Sequence, residues 1–341
     1  MRARAFGTLK IAAALILACG GAAFAQESFF KGKTIRIIVG FSAGGGYDTY
    51  ARVIARHLPK YIPGNPTVAV ENMAGAGSMI SANHIYKAAK PDGLTIGHFI
   101  GGLFLQQLLG KPGIEFDARR FEYLGVPAQD EFMLGVSRAS GITSADQLMA
   151  SKSPLKLGGV ATGSGTDDLP NVLKATIGLP VQLVSGYKGT ADIRLAFNSG
   201  EVQGLSNSWQ SFRATWRKEL DAGDLVIVLQ ETLTPHAELA HVPLALNFAK
   251  TEEAKKLIRT VIQVHGPTVR PFVLPPGTPK ERVQLLRKAF IEALKDPELL
   301  AEAKKARLEI NPLDGAELER GVKEILNLDA ALAAKLKEVL R

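Results

Sequence analysis

The stretch Thr34-Ile35-Arg36-Ile37-Ile38-Val39-Gly40-Phe41-Ser42-Ala43-Gly44-Gly45-Gly46-Tyr47-Asp48 decides how the chain folds. Its first six residues are a β-branched run of strand length, suited to a strand buried on both faces. A glycine-rich turn follows. Beyond it Tyr50, Val53, Ile54 and Leu58 recur at helical spacing, until Pro59 and Pro63 end the segment. Strand-like Thr67 to Glu71 leads into a second small-residue turn, Asn72 to Ser78, and a helix to about Ala89. Pro91-Asp92-Gly93 then turns the chain into a third strand, Leu94 to Phe99. Strand, helix, strand, helix, strand predicts a parallel sheet with helices on both faces.

The alternation resumes downstream. Phe132 to Val136, Leu155 to Val160, Val181 to Ser185, Val202 to Leu205 and Leu225 to Leu229 read as strands, with helices near 144–151, 166–177, 189–199 and 209–221. After residue 250 the pattern is helical (252–264, 279–295, 297–307, 315–339), interrupted by one strand, Val269 to Leu274. A late strand among helices is best used by returning to the first sheet. The expectation is a two-lobed α/β architecture of the type II periplasmic-binding-protein kind, each lobe a mostly parallel sheet flanked by helices. Lobe I is discontinuous (26–127 and 250–341), lobe II (128–249) is inserted, and the two crossings form a hinge.

A shift of 119 residues lays Gly44-Gly45-Gly46-Tyr47-Asp48 on Gly163-Ser164-Gly165-Thr166-Asp167. Tyr50, Val53, Ile54 and Leu58 then fall on Leu169, Val172, Leu173 and Ile177. Each lobe is therefore expected to carry the same unit: a strand, a Gly-x-Gly turn with an acid close behind, and a helix.

The composition fits a folded protein, with 46% hydrophobic and 22% charged residues among 341. Residues 1–25 read as an export signal: Arg2, Arg4 and Lys10, then an apolar run from Ile11 to Ala18, then Ala23-Phe24-Ala25 as a cleavage site. The apolar run is far shorter than the roughly 20 residues that span a bilayer. Cys19 is the only cysteine. Cleavage after Ala25 leaves no thiol, which suits an oxidising compartment and excludes disulfides and cysteine metal sites. Lipidation at Cys19 is the competing reading; Leu17 fits a lipoprotein box poorly, and a periplasmic location is expected. The segment carries three basic residues and no acid, so the remainder has a net charge of +5 against +8 for the whole chain. Basic residues interleave with acids, as in Glu302 to Glu309, so the excess does not form a nucleic-acid surface.

A glycine-rich turn that opens a helix leaves N–H groups unpaired at the dipole's positive end, a natural anion site. Ser42, Ser78, Thr162, Ser164 and Thr166 would add hydroxyl donors. The plainer alternative is that the glycines only permit a tight turn. Three consecutive glycines weaken it: a turn needs one left-handed position, so three suggest that something approaches the backbone closely. Phosphate-binding patterns fail, since Gly32-Lys33-Thr34 precedes a strand and no Gly-x-Gly-x-x-Gly occurs. Gly40-Phe41-Ser42-Ala43-Gly44 matches the nucleophile elbow of serine hydrolases, with His236, His241 or His265 late enough to serve as base. Its place on the first strand leaves no preceding loop to supply an oxyanion donor. The histidines have no metal-binding spacing, and neither a metal nor any other cofactor is expected. Trp209 and Trp216 have core spacing. Lys188 and Arg213 are possible counter-ions, and Asn207 and Ser208 end a strand where open sheets present ligand groups.

In order along the chain, Ile37 to Asp48, Val70 to Gly77, Lys90-Pro91-Asp92-Gly93, Gly163-Ser164-Gly165, Tyr187-Lys188-Gly189 and Pro275 to Pro279 resemble the landmarks of one family. It is the TctC or Bug-type solute receptors of tripartite tricarboxylate transporters, and the resemblance covers essentially the whole mature chain. It implies two lobes closing on a small carboxylate, no catalysis, and delivery by a monomer to a membrane permease with a large and a small subunit. It places ligand contacts on Phe41, Ser42, Gly46, Asp48, Asn72, Gly77 and Ser78 in lobe I, and on Thr162, Gly163, Ser164, Gly165, Thr166 and Asp167 in lobe II. Asn207 joins them from the residue reading. Gly40, Ser42 and Ala43 stand where the family often has proline. Asp167-Asp168 would repel a tricarboxylate, which makes citrate doubtful. The alternatives to a transport receptor are the Ser42 hydrolase and a ligand sensor for a signalling partner.

Overall fold

The computed structural model describes residues 29–340, so the export signal and Cys19 lie outside the described residues. Two mixed sheets form the frame. The first is built from β1 (Thr34–Val39), β2 (Thr67–Asn72), β3 (Thr95–His98), β4 (Glu122–Val126), β10 (Phe272–Leu274) and β11 (Leu313–Asp314), in the order β11-β4-β10-β3-β1-β2. The second contains β5 (Phe132–Ser137), β6 (Leu155–Gly158), β7 (Val181–Val184), β8 (Gly204–Ser208) and β9 (Leu225–Glu231), in the order β7-β6-β8-β5-β9.

The two orders follow one plan. β1 lies between parallel β2 and β3, as β6 lies between parallel β7 and β8. The next position holds a reversed strand, β10 in the first sheet and β5 in the second. Each reversed strand is the first that the chain lays down after crossing between the sheets. The crossing segments 127–131 and 266–271 run side by side, joined by Asp130 N–H donating to the Gly266 carbonyl (3.1 Å).

The internal correspondence reaches the backbone. β1 feeds α1 (Gly46–His57), and β6 feeds α5 (Gly165–Ile177). α1 buries Tyr50, Val53 and Ile54, and α5 buries Leu169, Val172 and Leu173, so the matched apolar positions face the core in both. Of the other helices, α2 (Met79–Lys87), α3 (Gly102–Leu108) and α4 (Ala145–Met149) follow the turns and strands around them. α6 (Thr190–Asn198), α7 (Trp209–Thr215) and α8 (Arg217–Ala222) flank the second sheet. Then come α9 (Glu252–His265), α10 (Lys280–Ala293), α11 (Pro297–Lys305), α12 (Gly315–Leu326) and α13 (Ala330–Val339). α9 packs on α5 before the chain returns to the first sheet.

The differences from expectation have local causes. The reading above passes over β4 and α3. Both lie within an apolar stretch, and Tyr123, Leu124 and Val126 are buried alike, so β4 shows no alternation. The helix expected over 209–221 breaks at Trp216, whose ring is fully buried against Phe197 and Phe212. The helix expected over 315–339 breaks at 327–329, where Asp329 caps a new helix through Leu332 N–H. Among the described residues no helix is long and apolar enough to cross a membrane.

Candidate functional site

The loops after β1 and β6 face each other across the gap between the sheets and share one small cavity of about 40 Å³. From the first loop come Phe41, Gly45, Gly46 and Tyr47; from the second come Ser164, Gly165 and Thr166. Gly44 and Gly163, equivalent under the 119-residue shift, are both left-handed (φ 81° and 99°), which explains glycine there. Gly46 and Gly165, the next equivalent pair, are set by close approach. A Cβ on Gly46 would lie 2.1 Å from Ser211 Oγ, and one on Gly165 would lie 2.2 Å from the Phe132 ring. What presses on these glycines is the protein's own second sheet and its neighbours. The lobes are closed.

Side chains hold each loop in shape. Asp48 accepts from Gly44 N–H (2.9 Å), Arg52 Nε (2.9 Å) and Asn72 Nδ2 (3.0 Å), and Asn72 also donates to the Phe41 carbonyl (2.9 Å). Burial by itself would push Asp48 up; those three hydrogen bonds together hold its carboxyl below the usual range. Asp167 turns back to Val160 N–H (2.6 Å), Thr166 Oγ1 (2.8 Å) and Ser185 Oγ. Asp168 accepts from Gly163 N–H (2.9 Å) and meets His265 Nε2 at 3.1 Å. Burial raises Asp167 despite its donors. Neither of these two acids lines the cavity. The expectation that they would face a ligand therefore gives way to a role within their own loop.

The remaining expected residues are spread over several places. Asn207 lines the cavity, and its Nδ2 is buried with no hydrogen-bond partner among the described residues. Gly77, Ser78 and Thr162 line an adjoining hollow together with Lys111 and Lys188. Ser78 Oγ accepts from Ile100 N–H (3.0 Å), and Gly163 sits under Gln106. A Cβ on Gly40 would lie 2.3 Å from Ser78 Cβ, so the close packing of these two loops accounts for glycine there. Ser42 does not line the cavity. Its N–H donates to the Lys188 carbonyl (3.1 Å) and its hydroxyl to Asp192 Oδ2 (2.7 Å), joining the lobes. The Ser42 hydroxyl is paired with Asp192 and not with a histidine, so the Ser-His pair that a nucleophile elbow needs is not formed.

Two charged residues that line the cavity do not figure in the sequence reading. Arg270, from the returning crossing, is almost fully buried. Its Nε donates to Asp130 Oδ1 (2.9 Å), and its Nη2 lies 2.8 Å from Asp130 Oδ2. Nη2 also reaches Ser208 Oγ (2.9 Å) and Ser211 Oγ (2.8 Å). Tyr47 and Tyr50 cover the guanidinium, 4.7 and 4.8 Å from their centroids. Burial would lower Arg270, but Asp130 and the two tyrosines outweigh it and the group stays charged. Its Nη1 has no hydrogen-bond partner among the described residues. The available signal was a lone arginine inside the otherwise apolar run Val269 to Leu274.

The three-residue acid and histidine group His57, Asp296 and Glu298 is filled by Lys60, whose Nζ lies 3.1 Å from Asp296 and 2.6 Å from Glu298. It is an ion-pair cluster.

Two α/β lobes closed over one cavity, each offering a helix start to it, define a solute-binding receptor architecture. The chain belongs to the tripartite tricarboxylate transporter family of receptors, whose description matches residues 50–337. It is 26% identical over 318 residues to the UPF0065 protein in the gbd 5′ region of Cupriavidus necator, covering 92% of this chain and 90% of that one. Its fold is similar to the periplasmic binding protein BugD (TM-score 0.73, 21% identity, 90% of this chain and 97% of that chain). It is equally similar to malate-bound MatC from Rhodopseudomonas palustris (TM-score 0.72, 19% identity, 91% and 99%). BugD is a periplasmic binding protein and MatC holds malate; this chain, by its family, is a receptor and not an enzyme.

Proposed function

We propose that the protein captures a small carboxylate in the cavity between its lobes, in the periplasm, and delivers it as a monomer to a membrane permease with a large and a small subunit. The observation that carries this reading is the convergence of the α1 and α5 starts on one cavity that also holds Arg270. Gly45 offers α1 no side-chain cap, so the first N–H groups of that helix are free to meet an anion. Arg270 Nη1 and Asn207 Nδ2 add buried donors that lack protein partners. Malate in the fold neighbour MatC is consistent with this chemistry.

Closure follows from the same contacts. Ser42 to Asp192 and Ser42 to Lys188 join the first loop to the second lobe, so they exist only when the lobes meet. A ligand that neutralises the helix starts favours this closed state, which a permease can then select. A thermal-shift screen of mono-, di- and tricarboxylates tests the reading. Saturation at about 100 times Kd adds about 2.7 kcal/mol of stability. An acid panel that shifts nothing would overturn the assignment.

A further inference from the structure

Building on the receptor reading, we infer that the ligand is a monocarboxylate with an apolar body, such as an aryl or longer alkyl acid, and not a di- or tricarboxylate. The lining sets both halves of this description.

Charge comes first. Arg270 is the one cationic side chain lining the cavity among the described residues, and Asp130 pairs with it at 2.8 Å. The formal charge of the lining is therefore zero. What remains for an anion is the partial positive charge of two helix starts, roughly half a unit each, and neutral donors such as Thr190 and Asn207. That suits one carboxylate. A second carboxylate in the same enclosure would be desolvated without a counter-ion, a costly arrangement. Two lysines, Lys111 and Lys188, line the adjoining hollow and not this cavity. Lys111 Nζ is already engaged by the Thr162 carbonyl (2.6 Å).

Shape and polarity supply the rest. Phe41, Tyr47, Ile100 and Val269 line the cavity from the first lobe and its returning segment, and Phe132 and Val160 from the second. Phe41 and Tyr47 pack ring to ring at 4.5 Å, giving a rigid apolar wall. Closing these surfaces over a polar ligand would strand its hydroxyls and carboxylates against side chains that cannot bond them. An apolar body instead gains from leaving water and costs the site no unpaired group.

Titration calorimetry on the wild-type protein with benzoate, phenylacetate, hexanoate, malate and citrate tests this. At least one of the first three should bind about tenfold or more tighter than malate and citrate, with a negative heat-capacity change from apolar burial. Tighter binding of malate or citrate overturns the inference and leaves the receptor reading standing. Binding by none of the five fails both. The charge argument has its own check. Asp130→Asn uncovers the Arg270 charge, so the ratio of malate to phenylacetate affinity should rise about tenfold; an unchanged ratio in a folded variant counts against it.

Discussion

The two glycine-rich loops share a backbone and differ in what finishes them. The first is braced from outside by Asp48, Asn72 and Arg52, and its helix begins without a side-chain cap. The second is satisfied from within: Ser164 caps Thr166 N–H, and Asp167 and Asp168 take up Val160 and Gly163 N–H. One loop leaves its donors to the cavity while the other spends most of them on itself. Under the proposed function, duplicated geometry divides the labour: lobe I would grip the anion and lobe II would provide a rigid opposing face.

The sharpest way to break this picture is Gly46→Val. Its side chain would displace Ser211 and crowd Arg270 Nη1, so closure and the ligand-induced thermal shift should both be lost while the apo protein still unfolds cooperatively. Asp168→Ala comes next and acts on stability. It strands Gly163 N–H and His265 Nε2 in a buried setting, at about 1–3 kcal/mol for each orphaned group, visible in chemical denaturation. Asn72→Ala should instead weaken ligand binding by about tenfold with little loss of stability, since it loosens the brace on the loop that carries the free amides.

A pH series separates the two loops further. Asp48 sits below the usual carboxylate range, so its brace is present above the unfolded-state pKa and is lost as pH falls through the folded value. Asp167 is raised by burial, so its contribution is fullest below the ordinary carboxylate pKa and declines as pH rises through its folded value. Asp167→Asn should therefore be least harmful, relative to wild type, towards neutral pH, and Asp48→Asn least harmful in acid; melting temperatures of both variants across pH 3 to 8 check this. Glu231 on β9 follows the second pattern more strongly, its carboxyl pushed up to about 8 by burial. The smallest effect is expected for Ser42→Ala, which removes one bond across the cleft and should weaken binding only about fivefold.

Much of this was legible in the chain. The β1 run, the matched Gly-x-Gly turns and the helical spacing after each could be read because they rest on local chemistry. The repeat correctly paired Gly44 with Gly163 and Gly46 with Gly165, although it could not say which of each pair served conformation and which served contact. Side-chain direction was the harder quantity. Asp48 and Asp167 stand beside the turns as expected, yet each bonds within its own loop, while Asn72 reaches across to brace the first loop, and nothing in the order of residues fixes that. Arg270 and Asp130 were missed because they meet only after the chain has crossed twice, 140 positions apart.

The placement of β10 also bears on the order of events during synthesis. Its sheet stays open at the centre, between β3 and β4, until Phe272 has emerged from the ribosome, by which time the whole second sheet is already made. The inserted half can assemble early from neighbouring segments, whereas the half that begins the chain must wait for a distant strand. Arg270 arrives on that same late segment, so the cavity acquires this cation at the step that completes the frame.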